Sequence, residues 1–221
     1  MNYSSTYNSS YQLNGAYERS DNIVSFVKEF SQLEKAKGVD ILEVGCGRGS
    51  LIPALTDGLV CGTLKAIDFS SVAIDQAKEY TNKVLFECED ILFYEDSMKY
   101  DLIIDSHLFH CLEGVQALDS YLLKVCNLLK PGGKFFLETM VAGRDFLNFH
   151  KENYNDSKLY IDGKFSRTIL TNGELESLLL SSGLKITYLY FPQDLKMIPE
   201  SGRVDPLPSD PDAVRVILEK E

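Results

Sequence analysis

Apolar positions along the chain fall into short continuous runs. Between the runs they recur every three or four residues. The runs sit at residues 39–44, 63–67, 83–87, 101–105 and 134–139, with two more at 184–190 and 213–218. Runs this short, bounded by turn residues, read as strands, and a strand buried on both faces lacks polar alternation. Leu102-Ile103-Ile104 has none, as a central strand requires. The intervening stretches read as helices at about residues 50–57, 70–80 and 115–129, and through about Ser182 behind the capping pair Thr171-Asn172. In the third, Val115, Leu118, Leu122, Val125 and Leu129 share one face, and Pro131-Gly132 stops it. Upstream, Ile23, Val24, Phe26, Val27, Phe30 and Leu33 mark a helix from Ser20-Asp21 to about Lys37, ended by Gly38. Strands alternating with helices imply right-handed crossovers and a mostly parallel sheet with helices on both faces. The chain therefore reads as an α/β protein.

Two segments break this pattern. Residues 1–19 are rich in Ser, Asn and Tyr, too polar to build a core alone. Yet Tyr3, Tyr7 and Tyr11, spaced four apart, would share one helical face able to close over a ligand. Residues 191–212 carry Pro192, Pro199, Pro206, Pro208 and Pro211 and read as a long connection ordered against the surface.

Bulk properties narrow the function. A chain of 221 residues suits one domain with a sizeable core. A net charge of −11 argues against a nucleic-acid partner, which wants a basic face. The five cysteines, at 46, 61, 88, 111 and 126, form no C-x-x-C pair. They read as free thiols in a reducing compartment, and the expected location is cytoplasmic. No apolar run approaches the ~20 residues that span a bilayer, so no membrane association is expected. The amino terminus lacks the charged and apolar regions of a secretory signal. Nothing in the pattern specifies an oligomeric state.

The richest stretch is Asp40-Ile-Leu-Glu-Val-Gly-Cys-Gly-Arg-Gly-Ser50, where an apolar run meets Gly45-x-Gly47-x-Gly49 and an amphipathic stretch follows. Glycines permit positive φ and close approach of a ligand, and the helix start presents free N–H groups. A dinucleotide fingerprint would be G-x-G-x-x-G. Here the third glycine comes one residue early and position 50 is Ser, which disfavours a nicotinamide-linked oxidoreductase. Acidic residues mark successive strand ends: Glu43, Asp68 in Ala66-Ile67-Asp68-Phe69-Ser70, and Asp90 in Glu89-Asp90-Ile91.

With these residues, and with Tyr100-Asp-Leu-Ile-Ile-Asp-Ser-His-Leu-Phe-His110 and Leu128-Leu-Lys-Pro-Gly-Gly-Lys-Phe-Phe-Leu-Glu-Thr139, the chain resembles the class I S-adenosylmethionine-dependent methyltransferases over roughly residues 39–190. The resemblance implies a Rossmann-like, seven-stranded, mostly parallel sheet whose last strand lies antiparallel between the fifth and sixth. It implies S-adenosylmethionine as cofactor and S-adenosylhomocysteine as product. It divides residues 1–221, one methyltransferase domain, into an amino-terminal lid and helix (1–37), a cofactor-binding half (38–140) and a substrate-side half (141–221).

The resemblance also implies roles. Glu43 reaches the methionine ammonium, or else caps the N–H groups of the turn. Gly45, Cys46, Gly47 and Gly49 form the turn itself. Asp68 accepts the ribose hydroxyls, or else caps the following helix. Phe69, Asp90 and Ile91 bound the adenine, although Asp90 also reads as a solvated loop acid. Ser106 follows the central strand, where the methyl is presented.

His107 is the candidate general base, because imidazole titrates near neutrality. Its alternative is a histidine bonded to backbone. His110 reads as structural or as a substrate contact. Two histidines three apart in a loop make a poor metal site, and none is expected. The substrate walls should come from Tyr11 and its neighbours, from residues 140–150 and from the segment 151–168. There Arg144 and Arg167 are able to hold a carboxylate or phosphate, or else form surface ion pairs. The expected activity is methyl transfer to a small molecule. A protein or peptide substrate and a non-catalytic binding module remain as rivals.

Overall fold

The structure is a computed structural model that describes residues 21–35, 37–192, 195–198 and 205–221. The seven apolar runs become seven strands of one sheet: β1 (Ile41–Val44), β2 (Leu64–Asp68), β3 (Leu85–Cys88), β4 (Tyr100–Asp105), β5 (Leu129–Val141), β9 (Lys185–Tyr190) and β10 (Asp212–Glu219). Their order is β3-β2-β1-β4-β5-β10-β9. β10 runs antiparallel to β5 and β9, and the other pairs are parallel. This is the Rossmann-like arrangement with the last strand reversed, and the strand order changes direction at β1 and β4. Ligands of such sheets sit beyond the carboxyl ends of the strands at that crevice.

Helices α1 (Asp21–Ser31), α2 (Ile52–Leu55), α3 (Ser71–Tyr80), α4 (Val115–Leu128) and α6 (Asn172–Ser181) cover the sheet. Side chains alternate across a strand, so each face builds its own core. Leu42, Val44, Ile103, Phe135 and Val216 pack with Leu118, Leu122 and Val125 of α4 and Leu175 and Leu179 of α6. Ile41, Leu102, Ile104, Phe136 and Ile217 pack with Val24, Phe26 and Val27 of α1, and with Ile52 and Ile74.

Several boundaries differ from the sequence reading. α1 stops at Ser31 rather than near Lys37, because Gln32 turns to a φ of 56°. A single helical turn, Leu33–Lys35, follows. The helix expected over 50–57 is only Ile52–Leu55, capped by Thr56, and Gly58 turns the chain beyond it at a φ of 74°. α4 ends at Leu128, and Pro131 lies inside β5 rather than after a helix. It is accommodated there by a register shift between Tyr100 and Leu102, the bulge setting in which a strand tolerates proline.

The segment 140–168 has structure that its polar composition concealed. β5 leads into α5 (Arg144–Phe149), then β6 (Tyr154–Asn155), β7 (Lys158–Ile161) and β8 (Lys164–Thr168) form a separate antiparallel sheet. Its hairpins turn at Asp156-Ser157 (φ 52° and 57°) and Asp162-Gly163 (φ 50° and 71°). Two successive positive φ values are the signature of the tight turn that matches strand twist. Phe146, Leu159, Ile169, Met140 and Met197 form the core beneath it. Of the proline-rich connection, Met197 is buried there and Lys196 pairs with Asp212 at 2.6 Å.

Candidate active site

The glycine turn after β1 is held from beneath by two buried carboxylates. Glu43 Oε2 accepts from the Leu51 N–H at 2.9 Å and from the Ser50 hydroxyl. Asp68 at the end of β2 accepts from the Gly47 N–H at 2.9 Å through one oxygen and from the Ser70 N–H at 2.9 Å through the other. Ser70, not Asp68, caps α3: its hydroxyl accepts from the Ala73 N–H at 3.2 Å. Gly45 sits at a φ of 67°, and a Cβ there would lie 2.7 Å from Leu108 Cβ. Glycine is thus required twice over, by conformation and by the approach of the turn that follows β4.

Burial governs the charges. Glu43 is 2% exposed. Desolvation pushes its carboxyl up to about 7, against the lowering effect of Ser50 and the Leu51 and Ile52 N–H groups. Desolvation also raises Asp68 above the ordinary range.

Asp105, at the end of β4, is fully buried and organises the next turn. Its Oδ1 accepts from the N–H groups of His107 at 2.9 Å and Leu108 at 2.7 Å, and its Oδ2 accepts from the Tyr121 hydroxyl at 2.8 Å. These bonds hold His107 at a φ of 152°. Side chains rarely adopt that backbone region, at a cost of about 1–3 kcal/mol, and it persists where surrounding bonds over-determine it. The His107 ring is half exposed, and its Nε2 lies 3.6 Å from Glu138 Oε1. Glu138 is buried near the end of β5 and also accepts from Arg215 Nε of β10 at 2.6 Å. Burial opposes the charge on Glu138, but His107 and Arg215 outweigh it and hold the carboxyl below its usual range. Arg215 in turn lies over the Phe26 ring of α1, 5.4 Å from its centroid.

A cavity of about 520 Å³ opens over these strand ends. That size is typical of small-molecule sites. On the β2–β3 side it is lined by Asp68, Phe69, Asp90 and Ile91, and on the β4–β5 side by His107, Leu108, His110, Met140 and Arg167. Gly45 lies between. Of the residues expected at the site, Gly45, Asp68, Phe69, Asp90, Ile91, His107, His110 and Arg167 are brought together here. Glu43 of β1 and Cys46, Gly47, Gly49 and Ser106 of the turns are not among the lining residues. Arg144 is exposed at the start of α5 and is not among the lining residues either, so residues 140–150 reach the cavity through Met140 instead. Tyr11 and its tract lie outside the described residues.

Individual geometries refine the expectations. Asp90 Oδ1 accepts from the Leu92 N–H at 3.0 Å, which fixes the loop while leaving the group exposed. His110 is buried, with Nδ1 3.0 Å from the Thr139 hydroxyl. Desolvation, with His107 and Arg167 nearby, lowers its pKa well below the ordinary value, so it is neutral. The His107 and His110 rings meet edge to face at 5.8 Å. Among the described residues no group of three or more His, Cys, Asp or Glu is placed to hold a metal ion.

Arg167 of β8 donates from Nη1 to the Ser166 carbonyl at 2.7 Å, while its Nε is buried without a partner. A buried unpaired donor costs about 1–3 kcal/mol. β8 is fixed against the turn after β4 by Thr168, whose hydroxyl donates to the Leu112 carbonyl at 2.6 Å and accepts from the Gly114 N–H at 2.8 Å.

The Glu138–Arg215 pair and the organising role of Asp105 were not anticipated from sequence. The signal available was a lone acid in Phe135-Phe-Leu-Glu138-Thr and a lone base in Val214-Arg215-Val216. Charges inside apolar strands require partners.

Comparison with known proteins identifies the class. A family profile described as a methyltransferase domain matches residues 35–183, and the chain belongs to that family. Among curated proteins, the ubiquinone biosynthesis O-methyltransferase of Coxiella burnetii is 32% identical over 121 residues, which cover 52% of this chain and 49% of that protein. The malonyl-acyl-carrier-protein O-methyltransferase of Bacillus cytotoxicus is 33% identical over 129 residues, 55% of this chain and 43% of that protein. The chain thus spans about half the length of the curated relatives it matches. Among solved structures, the Burkholderia thailandensis 1,6-didemethyltoxoflavin-N1-methyltransferase, crystallised with its substrate and S-adenosylhomocysteine, superposes with a TM-score of 0.68 at 15% identity. The match covers 99% of this chain and 87% of that one, and it shows that the two share a fold.

Proposed function

We propose that this chain transfers a methyl group from S-adenosylmethionine to a small-molecule acceptor. The observation that carries this reading is the glycine turn gripped by Glu43 and Asp68 and opening into the cavity. The residues fit the cofactor. Glu43 sits beneath the turn, where a methionine ammonium is complemented by a carboxylate. Asp68 spends one lone pair of each oxygen on backbone N–H groups and keeps others for two ribose hydroxyls. Phe69 and Ile91 offer apolar walls, and Asp90 an acceptor for an exocyclic amine. Cys46, Gly47, Gly49 and Ser106 contribute backbone. When bound, the cofactor supplies a methyl carbon activated by the adjacent sulfonium.

This chain's residues align, desolvate and move a proton. The acceptor would be held with its lone pair in line with that carbon and with water excluded. An acceptor proton passes to His107. With Nε2 turned to Glu138, the free ring nitrogen is Nδ1, and Glu138 stabilises the cation that results. Neutral His110 and Met140 shape the acceptor side.

Among the described residues no helix is long and apolar enough to cross a membrane, and none of the five cysteines is in a disulfide. Reduced thiols and acidic charge support a cytoplasmic enzyme acting on small molecules rather than nucleic acid. The test is a melt with S-adenosylhomocysteine, then transfer of a labelled methyl to candidate acceptors. Ligand at 100 times its Kd should stabilise the chain by about 2.7 kcal/mol. A shift with NAD and none with S-adenosylhomocysteine would overturn the reading.

A further inference from the structure

Arg167 is the one Lys or Arg side chain among the described residues that line the cavity. It has no carboxylate partner among the described residues. Glu113 lines the same cavity, yet no ion pair joins the two. Nη1 is spent on the Ser166 carbonyl, which leaves the side edge of the guanidinium, Nε and Nη2, without a protein acceptor. That edge presents two parallel N–H groups, the donor pair that matches a carboxylate. The same side of the cavity is also lined by Met140, Ile198, Leu112 and the neutral ring of His110, with Glu113 and His107 the other polar groups there. β8 is pinned to the turn after β4 through Thr168, so the arginine is delivered by a fixed strand.

Charge balance selects the ligand class. The acids Asp68, Glu89 and Asp90 line the β2–β3 side, where they disfavour any anion. On the β4–β5 side Arg167 carries the positive charge and Glu113 a negative one, so the arginine complements a monoanion at most, and a phosphate dianion would call for a second cation that the described lining residues do not supply. From this geometry we infer that the acceptor is a small carboxylic acid, held by Arg167 through its carboxylate while a separate nucleophilic atom faces His107. Binding turns the guanidinium edge, now buried without an acceptor, onto the carboxylate. This inference rests on the methyltransferase reading for the identity of the reaction, while its carboxylate site is testable without it.

The test uses the full chain and two matched probes, benzoate against benzamide and 3,4-dihydroxybenzoate against 3,4-dihydroxybenzamide. Each is titrated by calorimetry with and without saturating S-adenosylhomocysteine. The acids should bind about tenfold tighter than their amides, since bonds between charged groups exceed neutral ones by that order. In Arg167→Gln the preference should vanish while S-adenosylhomocysteine binds as before. Should that variant fail to fold, modification of wild-type Arg167 by phenylglyoxal, mapped by mass spectrometry, decides: the acids protect it and the amides do not. Equal binding of acid and amide, no binding of either acid, or a preference that survives Arg167→Gln overturns the inference. Loss of S-adenosylhomocysteine binding with the acid preference intact would instead overturn the methyltransferase reading alone.

Discussion

Glu43 couples stability and cofactor binding to pH, and the size of the coupling follows from its burial. Its carboxyl stands at about 7 in the folded chain against an ordinary 4.5, with desolvation the largest cause and the charge of Asp105 adding to it. At about 1.36 kcal/mol per pH unit, that gap is roughly 3 kcal/mol. The folded value is the raised one, so folding favours the protonated acid. The contribution is fully present below about 4.5, declines as pH rises to about 7 and is absent above. A ligand ammonium reverses the preference, because it favours the carboxylate. Binding of S-adenosylhomocysteine should therefore release up to one proton below pH 7. Its Kd should fall as pH rises from about 5 to about 7, by at most about tenfold per unit.

Glu43→Gln keeps acceptors for Ser50 and Leu51 and removes the titration. Urea unfolding at pH 5 and pH 8 should show the wild type losing up to about 3 kcal/mol relative to the variant. Calorimetry of S-adenosylhomocysteine in two buffers of different ionisation enthalpy counts the protons. A wild-type Kd that is flat between pH 5 and 7, with no proton released, would refute the reasoning. It would mean that Glu43 is already charged or never meets the ammonium.

Other expectations rest on single contacts. Asp68→Ala should weaken S-adenosylhomocysteine binding about tenfold or more by calorimetry, and should also lower apo stability by about 1–3 kcal/mol, since the Gly47 and Ser70 N–H groups lose their acceptor. Asp96 accepts from Lys65 at 2.7 Å, Tyr94 at 2.6 Å and Tyr100 at 2.7 Å. Burial opposes its charge, but these partners hold its carboxyl far below the ordinary range. Its stabilisation is thus present above about pH 3.9 and lost as pH falls further. Asp96→Asn should cost about 3 kcal/mol near neutrality and flatten that acid limb in urea titrations. His107→Gln should bind S-adenosylhomocysteine normally and lose roughly 10²–10⁴ in methyl turnover. Turnover like the wild type would leave His107 only a wall of the cavity. Tyr121→Phe leaves the buried Asp105 one donor short and should cost about 1.5–3 kcal/mol in chemical unfolding.

The parts legible in sequence are those whose cause is local. A glycine turn, an acid ending a strand and an apolar run each declare themselves within a few residues, and together they gave the sheet and the cofactor side. The substrate side resisted because its causes are distant or masked. Strands of two to five residues, such as Tyr154–Asn155 and Lys164–Thr168, are too short to show a period. Only Asp162-Gly163 advertised a hairpin there, whereas Asp156-Ser157 reaches the same conformation without glycine. Glu138 and Arg215 are 77 positions apart and meet because β10 runs antiparallel beside β5. The family pattern supplied that reversal as topology but not which side chains it would pair.

That pairing explains why the proposed base sits where it does. His107 is exposed on a turn, the position at which a side chain is least constrained. Two buried carboxylates remove that freedom from different directions. Asp105 fixes the backbone through two N–H groups and is itself secured by Tyr121 from α4. Glu138 faces the ring and is secured by Arg215, which lies over Phe26 of α1. Each carboxylate is buried on the strand that carries it, and each reaches His107 through atoms that a reaction does not consume. The strain of a φ of 152° is thereby borne by β4 and α4, and the orientation of the ring by β5, β10 and α1. A helix on the far face of the sheet thus bears on the base through one arginine, so Phe26→Ala should disturb turnover more than S-adenosylhomocysteine affinity. Equal losses in both would mean that α1 supports the fold alone.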